Sequence, residues 1–230
     1  MAFNGFDRAF FTFLKSLKAN NTREWFMEHK AQYQQDVEGP ALAFVAELAP
    51  KLKKISPRFI ADPRRSGGSM FRIYRDTRFS HDKTPYKTHV GLHFWHDGMT
   101  AAGAATDLES PPSFYLHLSP GEIFGGGGCW RPDPATLRKI RLHINDAPKE
   151  WKAVLAMKME IEGSTLKRVP AGFPADHPSA VDLMRKDHFA SENYKAGDLG
   201  SVSFIDRYVE TCARMAPLMK FLTAAQGQRW

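Results

Sequence analysis

The sequence predicts an α+β protein, with a central antiparallel sheet packed on one face by N-terminal and C-terminal helices. Three observations carry that expectation. Apolar residues recur at helical spacing over the first third of the chain, the period switches to two from about Met70, and helix-start signals return after Asp133. Helices and strands are thus segregated rather than alternating as in βαβ units. A chain of 230 residues that is 43% hydrophobic can bury one sizeable core. No long polar linker divides it, so residues 1–230 read as a single domain.

Phe6, Phe10, Phe13, Leu14 and Leu17 form the first apolar stripe, which stops at Asn20-Asn21. Asn21 and Glu24 stand in capping-box register, so a second helix is expected through Trp25, Phe26, His29 and Tyr33. Gly39-Pro40 punctuates the chain, and Pro40 suits the first turn of a helix carrying Leu42, Val45, Leu48, Ala49 and Leu52. Alternation then takes over. From Met70 to Tyr74, Phe71 and Ile73 are expected to face the helices, and Met70, Arg72 and Tyr74 to face away. The run THVGLHFWH sets Val90, Leu92 and Phe94 against His89, His93 and Trp95, and SFYLHLS sets Phe114, Leu116 and Leu118 against Tyr115 and His117. MTAAGAAT between them reads as a further strand of small side chains. Beyond the strands, Asp133-Pro134 and Ala147-Pro148 each start a helix, and STLKRVP reads as a short strand. Pro178 opens a short helix, and Ser203 with Asp206 begins a last one that Pro217 is expected to kink.

Composition sets the classes of function still open. A net charge of +7 favours anionic partners, yet the cations are spread along the chain and form no nucleic-acid arm. Cys129 and Cys212 are the only cysteines and fall in no metal-ligand spacing, which speaks against a disulfide framework and for a reducing compartment. The N-terminus lacks a basic region followed by an unbroken apolar core, and no apolar run approaches the roughly 20 residues of a spanning helix. A cytoplasmic protein without a membrane partner is expected.

The densest chemistry lies in FRIYRDTRFSHDKTPYKTH, from Phe71 to His89. It sets Arg72, Arg75, Arg78, Lys83 and Lys87 among Tyr74, Asp76, Asp82 and Tyr86. Guanidinium forks bind carboxylate or phosphate oxygens in paired hydrogen bonds, and Tyr86 offers a neutral donor at the rim. Five cations against two carboxylates leave a surplus for an outside anion. The opposite reading is that Asp76 and Asp82 pair with these cations and lock the loop. His93, Tyr115 and His117 extend the first reading, because a sheet face of imidazole and phenol rings suits a surface covered by a ligand or by a loop of the same chain rather than a solvated one.

A second candidate is GEIFGGGGCWRPDP, whose consecutive glycines Gly125 to Gly128 come shortly before a helix. Either they form a loop around an anion, with Trp130 and Arg131 as natural walls, or a tight turn or bulge. The stretch lacks the Lys-Ser/Thr of a P-loop and the spaced glycines of a dinucleotide fingerprint, so no cofactor follows. His89 and His93 are about 13 Å apart along a strand, too far for one metal ion. Only a cross-strand pair such as His93 with His117 would serve, and no metal is expected. A nucleophile elbow is absent too.

The run RIYRDTRFSHDKTPY resembles the signature R-x-x-R-D-x-R-F-x-x-D/N-K-x-x-Y of a bacterial family, the domain of unknown function 2461. The likeness extends to NNTREWF, YLHLSPG, FGGGGCWRP and LKRVPAGFPADHP, nearly the whole chain. It implies one domain of about this length and supplies no activity, substrate or cofactor.

The sequence therefore points to an anionic small molecule or phosphoester, rather than nucleic acid, held by the Arg-rich loop and the ring-bearing sheet face. Its rivals are an enzyme acting on a phosphoester or nucleotide, a nucleic-acid module stacking bases on Trp95, Tyr74 and Tyr115, and a scaffold locked by ion pairs.

Overall fold

The computed structural model describes residues 2–99 and 111–230. Helix α1 (Arg8–Ala19) is capped by Asp7, whose carboxylate accepts from the Phe10 amide, and buries Phe10, Phe13, Leu14 and Leu17. Helix α2 (Arg23–Glu28) is capped by Thr22, which accepts from the Trp25 amide, and not by Asn21. Asn21 instead clasps the backbone of Tyr86, accepting from its N–H at 3.1 Å and donating to its carbonyl at 2.9 Å. Helix α3 (Lys30–Tyr33) runs through a π-turn (Gln34–Glu38) into α4 (Gly39–Ile55).

Among the described residues five strands follow: β1 (Phe59–Ile60), β2 (Val90–His96), β3 (Ser113–Ser119), β4 (Glu122–Cys129) and β5 (His188–Asn193). They form one antiparallel sheet in sequence order, as the alternating runs require. The register sets Leu92 opposite Leu116 and Phe94 opposite Phe114, all fully buried under the helices. Between β4 and β5 lie α5 (Pro134–Asp146), α6 (Pro148–Leu155) and α7 (Ala180–Met184); α8 (Ala196–Leu199) and the long α9 (Phe204–Ala225) close the chain. Asp133 caps α5 through the Ala135 and Thr136 amides, worth about 1 kcal/mol. Helix α9 packs on β4, with α4 beside it.

Several expectations change. The four glycines are not a loop but the body of β4, because Gly125 and Gly127 face α9 where no side chain fits. A Cβ on Gly125 would stand 2.6 Å from the Tyr194 hydroxyl, and one on Gly127 3.1 Å from Met215 Sδ. STLKRVP makes only an isolated bridge, Thr165 to Arg185. Ser203 precedes α9, but its hydroxyl turns to Ser201 and Asp206 pairs with Lys51, so no capping box forms. Pro217 lies inside α9. Residues 100–106 of MTAAGAAT lie outside the described residues.

The stretch from Met70 to Tyr74 is not a regular strand. It touches its neighbours through the bridges Met70 to Leu92 and Tyr74 to Tyr86. Met70 is thereby matched with Leu92 on the helix side, which sends Phe71 to the opposite face; a one-residue shift of register exchanges the faces. Ile73 is buried as expected, whereas Phe71 is only half-buried and lies over Gly91.

Candidate functional site

The sheet face away from the helices carries rings across four strands. Two stacks stand on it. In one, Phe71 lies against His93 with ring centres 5.7 Å apart, and His93 against Trp95 at 6.0 Å. In the other, His117 is sandwiched between His89 at 4.7 Å and Phe124 at 4.9 Å. Tyr115 connects them, 6.2 Å from Phe71 and 5.9 Å from Phe124. These rings, Trp95 apart, line with Phe189 and Trp130 a mostly apolar hollow of about 540 Å³. Gly126 and Gly128 line it without side chains, which deepens it.

Two polar devices sit in this wall. The Tyr115 hydroxyl lies 3.2 Å from His117 Nδ1. When the phenol donates there, the neutral imidazole carries its proton on Nε2, which faces Glu122 Oε2 at 3.8 Å. Burial lowers the His117 pKa, and Glu122 opposes the shift. His93 is 4% exposed, and its buried Nε2 has no hydrogen-bond partner among the described residues. Its pKa is pushed down to about 4 by burial, so the ring is neutral at pH 7.

The Arg-rich loop is a separate construction. Arg75 pairs with Asp82 and also donates to Thr84 and Ser80. Arg78 forks onto Asp76, with Nε 3.0 Å from Oδ1 and Nη2 2.7 Å from Oδ2. Lys83 donates to the Thr77 carbonyl at 2.9 Å. Asp76 is held at about 2, mainly by Arg78, and Asp82 at about 2, first by the Thr84 amide and then by Arg75. Both carboxylates of the loop are thus taken by Arg75 and Arg78, and Lys83 is held by a backbone carbonyl.

The eleven site residues that the sequence points to fall in four places. His93, Tyr115 and His117 share the hollow, and Lys87 borders it with its ammonium 5.1 Å from the Phe71 ring centre. Arg75, Asp76, Arg78 and Lys83 form the self-paired loop. Arg72 and Tyr74 line a smaller cleft of about 170 Å³ with Phe26, Tyr33, Glu38 and Arg65. Tyr86, expected at a rim, is instead buried with its ring 4.2 Å from Phe26, where the Asn21 clasp fixes the loop to the helices. Phe71 reads in the sequence as facing the helices, and Phe124 and Phe189 give no site signal there, because an isolated phenylalanine reads as core. Only the cross-strand register shows which face it occupies.

Register also separates the one metal pair considered, since His93 stands opposite Tyr115 and His117 opposite Gly91. No cluster of three or more ligating side chains suited to a metal ion occurs among the described residues. Among those residues no helix is long and apolar enough to cross a membrane.

Fold and site together define an α+β protein with one sheet face under helices and a ring-walled hollow on the other. Residues 9–221 match the family described as a conserved hypothetical protein (DUF2461), and the chain belongs to that family. No curated protein and no solved structure matches the chain.

Proposed function

We propose that the protein binds a small organic anion, phosphate-bearing or carboxylate-bearing, whose planar part enters the ring-walled hollow. The single observation that carries this reading is the hollow itself: about 540 Å³ of mostly apolar space between two ring stacks, with the Tyr115–His117 pair as polar anchor. Such a site suits a flat ligand, because stacked rings select planarity and a few polar groups select orientation. The excess of cations attracts the anion over distance, while the loop cations hold the loop that delivers Phe71 and Lys87 to the rim. In this reading the protein works in the bacterial cytoplasm and takes a small ligand rather than nucleic acid. Trp95, one of the three rings a nucleic acid would need, is 8% exposed and already stacked on His93.

A second reading, an acid–base enzyme acting on a phosphoester or nucleotide, draws on the contact of Tyr115 with His117 Nδ1 at 3.2 Å. His117→Gln separates the two: lost turnover with retained binding selects the enzyme.

Calorimetric titration with aryl phosphates and aryl carboxylates tests the binding reading. Saturable binding at about 100 μM or tighter is expected, weakened about tenfold by Phe71→Ala. If Phe71→Ala binds unchanged and Arg75→Ala does not bind, the ligand sits on the loop and the reading fails.

A further inference from the structure

A second hollow of about 600 Å³ adjoins the first. Trp130 and Phe189 line both, so these two side chains are the partition between them. The walls change in character across it. On the far side stand Arg131, Ser164, Lys186 and Asp187 in place of the imidazole and phenol rings.

The backbone of Arg131 is held in an unusual state. Its φ is 48°, the one positive value outside glycine among the described residues. A side chain in that region persists only where its surroundings fix it. Asp187 does so: Oδ1 accepts the Arg131 amide at 2.8 Å, and Oδ2 accepts the Ser164 amide at 3.1 Å and the Ser164 hydroxyl at 2.9 Å. The glycine at 163 is required for this approach, since its Cβ would lie 2.6 Å from the Asp187 Cβ. Asp187 therefore spends its oxygens on two backbone amides and a hydroxyl. The Arg131 guanidinium is left to lie over the indole of Trp130, 4.6 Å from the ring centre. Neither Arg131 nor Lys186 forms an ion pair among the described residues, in contrast to Arg75 and Arg78. Two cations lining one hollow, one of them set over an indole ring, suit a tetrahedral or planar oxyanion.

We propose that the Arg131–Lys186 hollow is the anion subsite of the same ligand, so that the protein takes a two-part molecule with its planar ring in the first hollow and its acidic group in the second. The inference rests on the ring-binding reading above and adds the place where the charge is held. Trp130 is the hinge of this arrangement, offering one surface to the ring compartment and its own face to the guanidinium.

Four probes separate the parts in calorimetric titrations of the full chain: 1-naphthyl phosphate, 1-naphthoate, the uncharged 1-naphthol, and inorganic phosphate. The wild-type protein is expected to bind 1-naphthyl phosphate at least about tenfold more tightly than 1-naphthol, the range of one charge-assisted anion contact. The relative affinity of 1-naphthoate tells a phosphate subsite from a carboxylate one. Arg131→Asn combined with Lys186→Ala removes both cations while keeping a residue that tolerates positive φ. In this variant the preference is expected to fall below about threefold with 1-naphthol affinity unchanged. Should its thermal transition show that it does not fold, Lys186→Ala alone decides, with an expected loss of about threefold for 1-naphthyl phosphate only. If the preference survives these changes, or vanishes in Lys87→Ala instead, the charge is held elsewhere and the inference falls while ring binding stands. If no naphthyl compound binds, the ring-binding reading falls and the subsite with it. Tight binding of inorganic phosphate alone, with no gain from the naphthyl ring, overturns the two-part ligand.

Discussion

The Arg-rich loop and the ring-walled hollow meet at Phe71 and Lys87, yet they are built on opposite principles. The loop has high charge and low burial: Arg78 and Asp76 are largely solvated and satisfy one another. The hollow has low charge and high burial, and it leaves the His93 Nε2 without a partner among the described residues. A charged segment in water can complete its own pairing locally, two or seven residues away, as Arg78 with Asp76 and Arg75 with Asp82 show. A ring-bearing sheet face has no such local remedy, and its rings stack on one another across the strands. The segment richest in charge is therefore the one whose arginines and aspartates answer each other most locally.

Acid titration separates the two regions most sharply. His93 is lowered to about 4 by burial, whereas the unfolded imidazole titrates near ~6.5. As pH falls through that interval the unfolded chain takes up the proton first, so stability present above pH ~6.5 is lost on the way to about 4. The loss is on the order of 3 kcal/mol for His93, and His188, also lowered to about 4 by burial, adds to the same window. His93→Phe keeps a ring between Phe71 and Trp95 and removes the titration. It is expected to flatten the dependence of Tm on pH between 6.5 and 4 by about half. The loop responds in another window. Asp76 and Asp82 are lowered to about 2, so their stabilisation holds above the ordinary aspartate value and is lost only as pH falls through about 2. If the His93→Phe curve keeps its full slope above pH 4, the contrast between the regions fails.

Gly91→Val strikes where they touch. A Cβ at Gly91 would stand 2.6 Å from the Tyr115 hydroxyl and 2.9 Å from Phe71 Cδ2. Both rings must shift, at about 1–3 kcal/mol, with ligand affinity falling in step. Chemical denaturation together with calorimetry reads both effects. If stability drops and affinity holds, the rim is not part of the site.

The loop substitutions should be smaller. Arg75→Ala removes the links to Asp82, Thr84 and Ser80 and is expected to cost about 1 kcal/mol, held down by the exposure of Asp82. Arg78→Ala breaks a pair whose arginine is 77% exposed and should leave the urea midpoint almost unmoved. A reversed order, with Arg78 the costlier, would mean that Arg78 meets more than Asp76.

Much of this arrangement is visible in the residues. The alternation in 89–96 and 113–119 assigns both faces of β2 and β3, and with them His93, Tyr115 and His117. Asp133-Pro134 marks the start of α5 to the residue. The two-fold period fails at Phe71, because an irregular segment held by two bridges takes its facing from its neighbour rather than from its own pattern. It fails again at β5, HFASEN, whose mixed residues become a strand only because β4 offers an unpaired edge.

What the sequence by itself determined is local: which runs turn as helices, which alternate, and which cations have a carboxylate within a few residues. Tertiary structure alone decided that four glycines form a strand so that α9 can approach, that Phe71 crosses to the ring face, and that Trp130 divides two hollows. The reason is range. Periodicity and pairing over a few residues are set by backbone geometry and Coulomb attraction along the chain, whereas a cavity is the space left between segments far apart in sequence and is fixed only when register and close packing bring them together.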